Sequence, residues 1–195
     1  EDLYLPYRVK RRTRATIARE KGLEPLALAL IAQEIADVDR EAARYIDAEK
    51  GVADAAEALA GARDIVAEMV SEDATVRAAM RKLYLEQGTC ESKMVKGKEE
   101  EGAKLKDYFE WQEPVAKAPS HRLLAMFRGE KEGALSLSIA PDKETATALM
   151  TAQYVTGSGP ASEQVALAID DSYKRLLGPS METEVRGELK RRARS

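Results

Sequence analysis

The sequence predicts a mainly α fold: a multi-helical domain with helical hairpins, a helix-turn-helix-like N-terminal portion and a small two-stranded β ribbon. Three observations carry this. Apolar residues recur at three-to-four spacing through most of the chain, alanine is abundant in those same stretches, and strict two-residue alternation is confined to the short run ALSLSIA. At 195 residues the chain is long enough to bury a sizeable core, and its net charge of −3 leaves room only for a local contact with a polyanion.

Taken in order, Thr13 is placed to cap a helix that runs to Glu20 and Lys21, and Gly22 to stop it in the left-handed conformation. A second helix starts at Glu24, with Pro25 in the first turn where a missing N–H costs nothing, and continues through Leu30. Ala55, Leu59, Ala62, Ile65, Val66 and Met69 then form one apolar stripe. Ser71 and the following acids open the next helix, lined by Val76, Met80 and Leu83 and ended by Gly88, so the two helices are expected to form an antiparallel hairpin. CESKMV and ALSLSIA are the two strands, which must pair and lean on a helix from about Ser120 to Arg128. Asp142 caps KETATALMTAQY, GSGP is a loop, and a stripe of Val165, Ile169, Tyr173, Leu176 and Leu177 is broken by GPS before Met181, Val185 and Leu189 resume it. Residues 1–50 form a helix-turn-helix-like part with a basic arm. Residues 51–195 form a helical core with the ribbon near 89–141, unless the two are one continuous domain.

Candidate chemistry is sparse. Cys90 and His121 are the only soft or imidazole ligands, with no Cys-x-x-Cys or His-x-x-x-His spacing, so no metal and no cofactor are expected. Ser120 precedes His121 directly, which points the two apart on a helix, and no Gly-x-Ser-x-Gly elbow occurs. GSGP lacks the Lys-Ser/Thr of a phosphate loop, and the acidic run Glu99 to Glu101 fits a solvated helix start. Tyr108, Phe109 and Trp111 fit a core anchor better than a stacking platform. No catalytic residue is assigned, and the chain is not expected to be an enzyme.

The strongest local signal is the basic arm Arg8, Lys10, Arg11, Arg12 and Arg14, which leads into a helix N-terminus. Such an arm binds phosphates without reading sequence. In a net-negative chain the same residues also suit pairing with acids of their own domain, and the residues leave both readings open. A single cysteine and the lack of a long apolar run suggest a soluble, cytoplasmic protein without a membrane partner. Both ends look cut: the first residue is Glu1, and the last segment is ELKRRARS.

Four strings occur together and in order: EDLYLPYRVKRRTRATIAREKGLEPLA, EALAGARDIVAEMVSEDATVRAAMRK, DYFEWQEPVAKAPSHRLLAMFRGEKEGALSLSI and YKRLLGPSMETEVRGELKRRA. In this the chain resembles the Tex family of bacterial transcription accessory proteins. The resemblance implies an internal helical segment of a longer protein, followed there by an RNase-H-like domain, helix-hairpin-helix elements and an OB-fold domain credited with most RNA binding. It implies a non-catalytic scaffold with nucleic acid (RNA or DNA), and the transcription machinery, as partners. The alternative is a protein-docking module without nucleic-acid contact of its own. It further implies a helix from His121 ending on Gly129, Arg122 and Arg128 pairing with acids of DYFEW or QEP, Arg63 and Asp64 on an exposed face, and a close helix approach at Gly61.

Overall fold

The computed structural model describes residues 12–100 and 102–195. Their contacts divide into two compact units, one of the chain up to Met69 with Tyr154–Ile169, the other of Val70–Gln153 with Asp170–Ser195.

In the first unit, α1 (Arg14–Glu20) starts where Thr13 accepts the Thr16 N–H at 3.0 Å and is followed by Gly22 at φ +78°. α2 (Glu24–Ala32) carries Pro25 in its first turn and buries Leu26, Ala27 and Leu30. It ends not by running out of apolar residues but on Gln33, a non-glycine residue in the left-handed conformation at φ +57°. The Gln33 amide explains why that conformation is held. Its Nε2 donates to the Tyr154 carbonyl at 2.6 Å, and its Oε1 accepts from the Thr156 N–H and the Ser162 hydroxyl at 2.9 Å each. α3 (Val38–Ala43) is capped by Asp37.

Along α4 (Ala55–Glu72), Leu59, Ala62, Ile65 and Val66 are buried, as the stripe requires, while Ala55 and Met69 are half-buried. A Cβ on Gly61 would lie 2.4 Å from Leu23 Cδ1 and 3.4 Å from Ala18 Cβ, so glycine is what lets α4 approach the α1–α2 corner. Arg19 and Thr13 both bond Glu68 of α4, at 2.8 and 3.0 Å. Arg63 is half-buried and donates to Gln164 Oε1 at 2.6 Å, which ties α4 to α8 (Pro160–Asp171).

The second unit corrects several expectations. α5 (Ala74–Gln87) is opened by Asp73, whose carboxylate accepts from the Thr75 and Val76 N–H groups at 2.8 and 3.2 Å; α4 continues past Ser71, which is buried. Within its own unit α5 packs against α9 (Gly178–Arg194), β3 (Leu135–Ala140) and the 3-10 turn Val115–Lys117.

The ribbon is a three-stranded antiparallel sheet, ordered β2-β1-β3, with β1 (Thr89–Met94) central and β2 (Glu110–Pro114) at an edge. The pairing of β1 with β3 was expected; β2 was not, because EWQEP has one aromatic, three polar residues and a proline. Cys90 lies opposite Ile139 on one side and Glu113 on the other.

α6 (Ser120–Lys131) buries Leu123, Met126 and Phe127 and packs against both β3 and α9. Gly129 does not end it. A Cβ there would meet Leu135 Cδ1 at 2.6 Å and Leu105 Cδ1 at 2.7 Å, so it is a contact point inside the helix, and Gly133 at φ +81° is the left-handed stop. Arg122 does pair with Glu113, at 2.7 Å, and sits 5.0 Å over the Trp111 ring, itself edge-on to Tyr108, so the pair docks α6 on the sheet edge. Arg128 is exposed and takes no part in that docking. α7 (Lys143–Tyr154) is capped by Asp142.

GPS does not break the last helix. The backbone passes from α8 into a π-helical stretch, Ser172–Leu177, and straight into α9. There the Gly178 N–H reaches back five residues to the Tyr173 carbonyl, a widened turn of the kind that accommodates a proline such as Pro179. A Cβ on Gly178 would stand 2.6 Å from that carbonyl oxygen. The buried Tyr84 hydroxyl braces the turn, 2.9 Å from the Tyr173 hydroxyl and 3.4 Å from the Gly178 carbonyl; burial first, then that bond, pushes the Tyr84 phenol above its ordinary pKa.

Gly61→Leu is expected to lower the unfolding free energy by about 1–3 kcal/mol through overpacking. A shifted denaturant midpoint is the readout, and an unchanged midpoint removes the close-approach account. Burial in the central strand pushes the Cys90 thiol up to about 11 from 9.0. The native chain should therefore resist a thiol reagent at mildly alkaline pH and react fully once denatured. Between about 9 and 11 the unfolded thiol has lost a proton that the native one keeps, so the Cys90 contribution to stability falls as pH rises through that window. Rapid modification of the native protein would contradict this.

Candidate functional site

Of the arm residues named from sequence, Arg8, Lys10 and Arg11 lie outside the described residues. Arg12 is exposed and forms a 3.0 Å ion pair with Glu20, both side chains more than half accessible. Arg14 is the first residue of α1, exposed, and lines a shallow cavity of about 320 Å³ together with Lys21, Glu57 and Asp64. Two cations there face two carboxylates, so the field at its mouth is mixed. The N–H of Thr16 in the first turn of α1 is already taken by Thr13, so it is not available to an anion. Arg12 and Arg14 are thus brought to one end of α1, and Arg12 is partly compensated.

A larger feature lies within the second unit. A cleft of about 810 Å³ opens between α6 and α9, floored by Leu105, Leu124, Ala125 and Phe127. Its rim carries His121, Arg128 and Lys131 from α6 with Lys190 and Arg194 from α9. Helical geometry explains the grouping. Leu124, Arg128 and Lys131 follow one another at four and three residues on one face of α6, and Lys190 and Arg194 are one turn apart on α9. Lys190 places its ammonium 5.0 Å from the centre of the buried Phe127 ring. Among the described residues the one acid at the rim is Glu130, which is engaged by Arg186. Among the described residues, none of Arg128, Lys131, Lys190 and Arg194 forms an ion pair, whereas Arg19, Arg77, Arg81, Arg122, Arg175 and Arg186 all do.

Sequence reasoning named His121 and Arg128 for other reasons and missed Lys131, Lys190 and Arg194. The run ELKRRARS was the available signal, but it does not show which of its cations face α6. Arg191 and Arg192 turn elsewhere and pair with Glu188, holding its carboxyl below the ordinary range through their hydrogen bonds.

Chemically the cleft offers fixed positive charge above an apolar floor. His121 is exposed at the start of α6, and its neighbour Ser120 is on the same exposed turn. Among the described residues no group of three or more His, Cys, Asp or Glu side chains is placed to hold a metal ion, and no helix is long and apolar enough to cross a membrane.

The profile of the Tex central region-like family matches residues 33–195. Protein YhgF of Escherichia coli is 51% identical over 144 residues, which cover 74% of this chain and 19% of that protein. The uncharacterized protein YdcI of Bacillus subtilis is 39% identical over 196 aligned residues, 99% of this chain and 27% of its own length. The transcriptional accessory protein Tex of Neisseria gonorrhoeae is 45% identical over 139 residues, 71% of this chain and 18% of that protein. The chain therefore corresponds to a minor part of each relative's length, and the part it corresponds to is described by the matching profile: this chain belongs to the Tex central region-like family.

Proposed function

We propose that this chain is a non-catalytic helical scaffold segment of a cytoplasmic, RNA-binding transcription accessory protein, and that its basic arm, Arg8, Lys10, Arg11, Arg12 and Arg14, contributes a sequence-independent phosphate contact. The transcriptional role rests on the name of the Neisseria relative. The observation that carries the scaffold reading is where the arginines are engaged. Arg19 with Glu68, Arg77 and Arg81 with Glu184, Arg122 with Glu113 and Arg186 with Glu130 each join two separate elements of the fold.

Arg12 and Arg14, in contrast, stand at the exposed front of α1. The Arg12–Glu20 pair is exposed on both sides, and such pairs contribute only about 0–1 kcal/mol, weak enough for a phosphate to displace Glu20. Counterion release supplies the driving force for that exchange and makes it salt-sensitive.

The test is charge reversal at Arg11 and Arg12, titrated against single- and double-stranded RNA and DNA at several salt concentrations. The melting temperature is expected to stay unchanged while binding weakens, with the salt dependence on a single strand falling by about 1–2 in log–log slope for two lost contacts. Loss of stability with unchanged binding would assign the arm to its own domain instead.

A further inference from the structure

We propose that the cleft between α6 and α9 docks an acidic, amphipathic segment of a protein partner, with apolar anchor side chains on the floor of Leu105, Leu124, Ala125 and Phe127 and carboxylates against Arg128, Lys131, Lys190 and Arg194. This goes beyond the nucleic-acid reading of the arm and uses different residues in a different unit of the fold.

Charge complementarity selects the sign of the occupant. In a chain of net charge −3, four cations without ion pairs among the described residues gather around one cavity, and Glu130, the one carboxylate among the described residues at its rim, is held by Arg186. Clustering like charges without counter-charges is unfavourable for the free protein, and an anionic partner relieves it.

The floor selects the class of anion. Grooves that hold single-stranded nucleic acid present open aromatic faces on which bases stack. Here, among the described residues, the one Phe, Tyr or Trp ring lining the cleft is Phe127, 7% exposed and covered by the Lys190 ammonium, and the His121 imidazole stands at the rim rather than on the floor. What remains open is aliphatic: Leu105, Leu124 and Ala125, each half-buried. Aliphatic anchors in such a groove are the signature of an amphipathic segment read at i, i+3, i+4 and i+7, and a cleft of about 810 Å³ has room for several of them. The flanking cations then favour glutamate or aspartate at the intervening positions. The two walls are joined through the Arg186–Glu130 pair, so the groove is formed before any partner arrives.

The experiment uses the whole 195-residue chain and a short fluorescein-labelled peptide with leucines at i, i+3, i+4 and i+7 and glutamates between them, read by anisotropy. Two variants separate rim from floor: Arg128→Gln combined with Lys131→Gln, and Leu124→Ser. Arg128 and Lys131 are exposed and Leu124 is half-buried, and circular dichroism is used to check that each variant is folded. The wild-type chain is expected to bind the peptide, to lose affinity with added salt, and to bind about tenfold more weakly in each variant. A lysine-for-glutamate version of the peptide should not bind. Absence of binding to the glutamate peptide, or binding that neither variant weakens, overturns the proposal. So does an oligouridylate that binds the wild-type chain, displaces the peptide and is lost in both variants, which would make the cleft a nucleic-acid site.

Discussion

The half-buried guanidinium of Arg186 is the interaction on which the second unit depends. It bonds Glu182 on its own helix, Glu130 on α6 and the Leu137 carbonyl on β3, so one side chain fixes the meeting of α9, α6 and the sheet. Burial alone would lower its pKa; hydrogen bonds and charge from Glu130 and Glu182 outweigh that and hold it above the ordinary value. An ion buried to this degree is costly unless every donor is satisfied, and two carboxylates and a carbonyl meet that demand. Removing a single partner would leave an uncompensated charge in the packing, which is why such a centre enforces one arrangement of the helices around it.

Within each unit the packing is set by small residues. Gly61 and Gly129 each sit where a methyl group would collide with a buried leucine, and alanines such as Ala58, Ala62, Ala67 and Ala168 are almost wholly buried. Close approach of this kind increases dispersion contact and orders few side-chain rotamers. It also explains why the long polar side chains lie at element junctions: with the backbones close together, an arginine on one helix reaches a carboxylate on the next. The fold is thus held by tight apolar seams with charged ties along their margins, and the four cations gathered at the α6–α9 cleft have no ion-pair partner among the described residues.

Much of this was legible in the sequence where the cause is local. The Thr13 cap, the Gly22 turn, Pro25, the Asp142 cap and the alternation of Leu135, Leu137 and Ile139 each depend on residues within one turn or one strand, and each is found in the structure. The misses have distant causes. β2 is an edge strand that pairs on one side only, so its sequence needs no apolar alternation. The helix passes through GPS because a wide turn braced by Tyr84, far away in sequence, accommodates Pro179. Gly129 looked like a terminator because glycine often is one, but the side chains of Leu105 and Leu135 give it a packing role that spacing cannot reveal. The cleft was invisible for the same reason: its cations come from two helices about sixty residues apart, and each reads by itself as solvated charge.

Gln33 carries a consequence of another kind. Its amide serves as donor to Tyr154 and acceptor for Thr156 and Ser162, and the segment it grips, Thr156 through Gly159, has no large apolar side chain to anchor it otherwise. Chemical ageing that hydrolysed this amide to a carboxylate would add one oxygen and change almost no volume, yet it would set a negative oxygen against the Tyr154 carbonyl. The connection between α7 and α8 is therefore fastened by the identity of one nitrogen atom rather than by the amount of surface it covers.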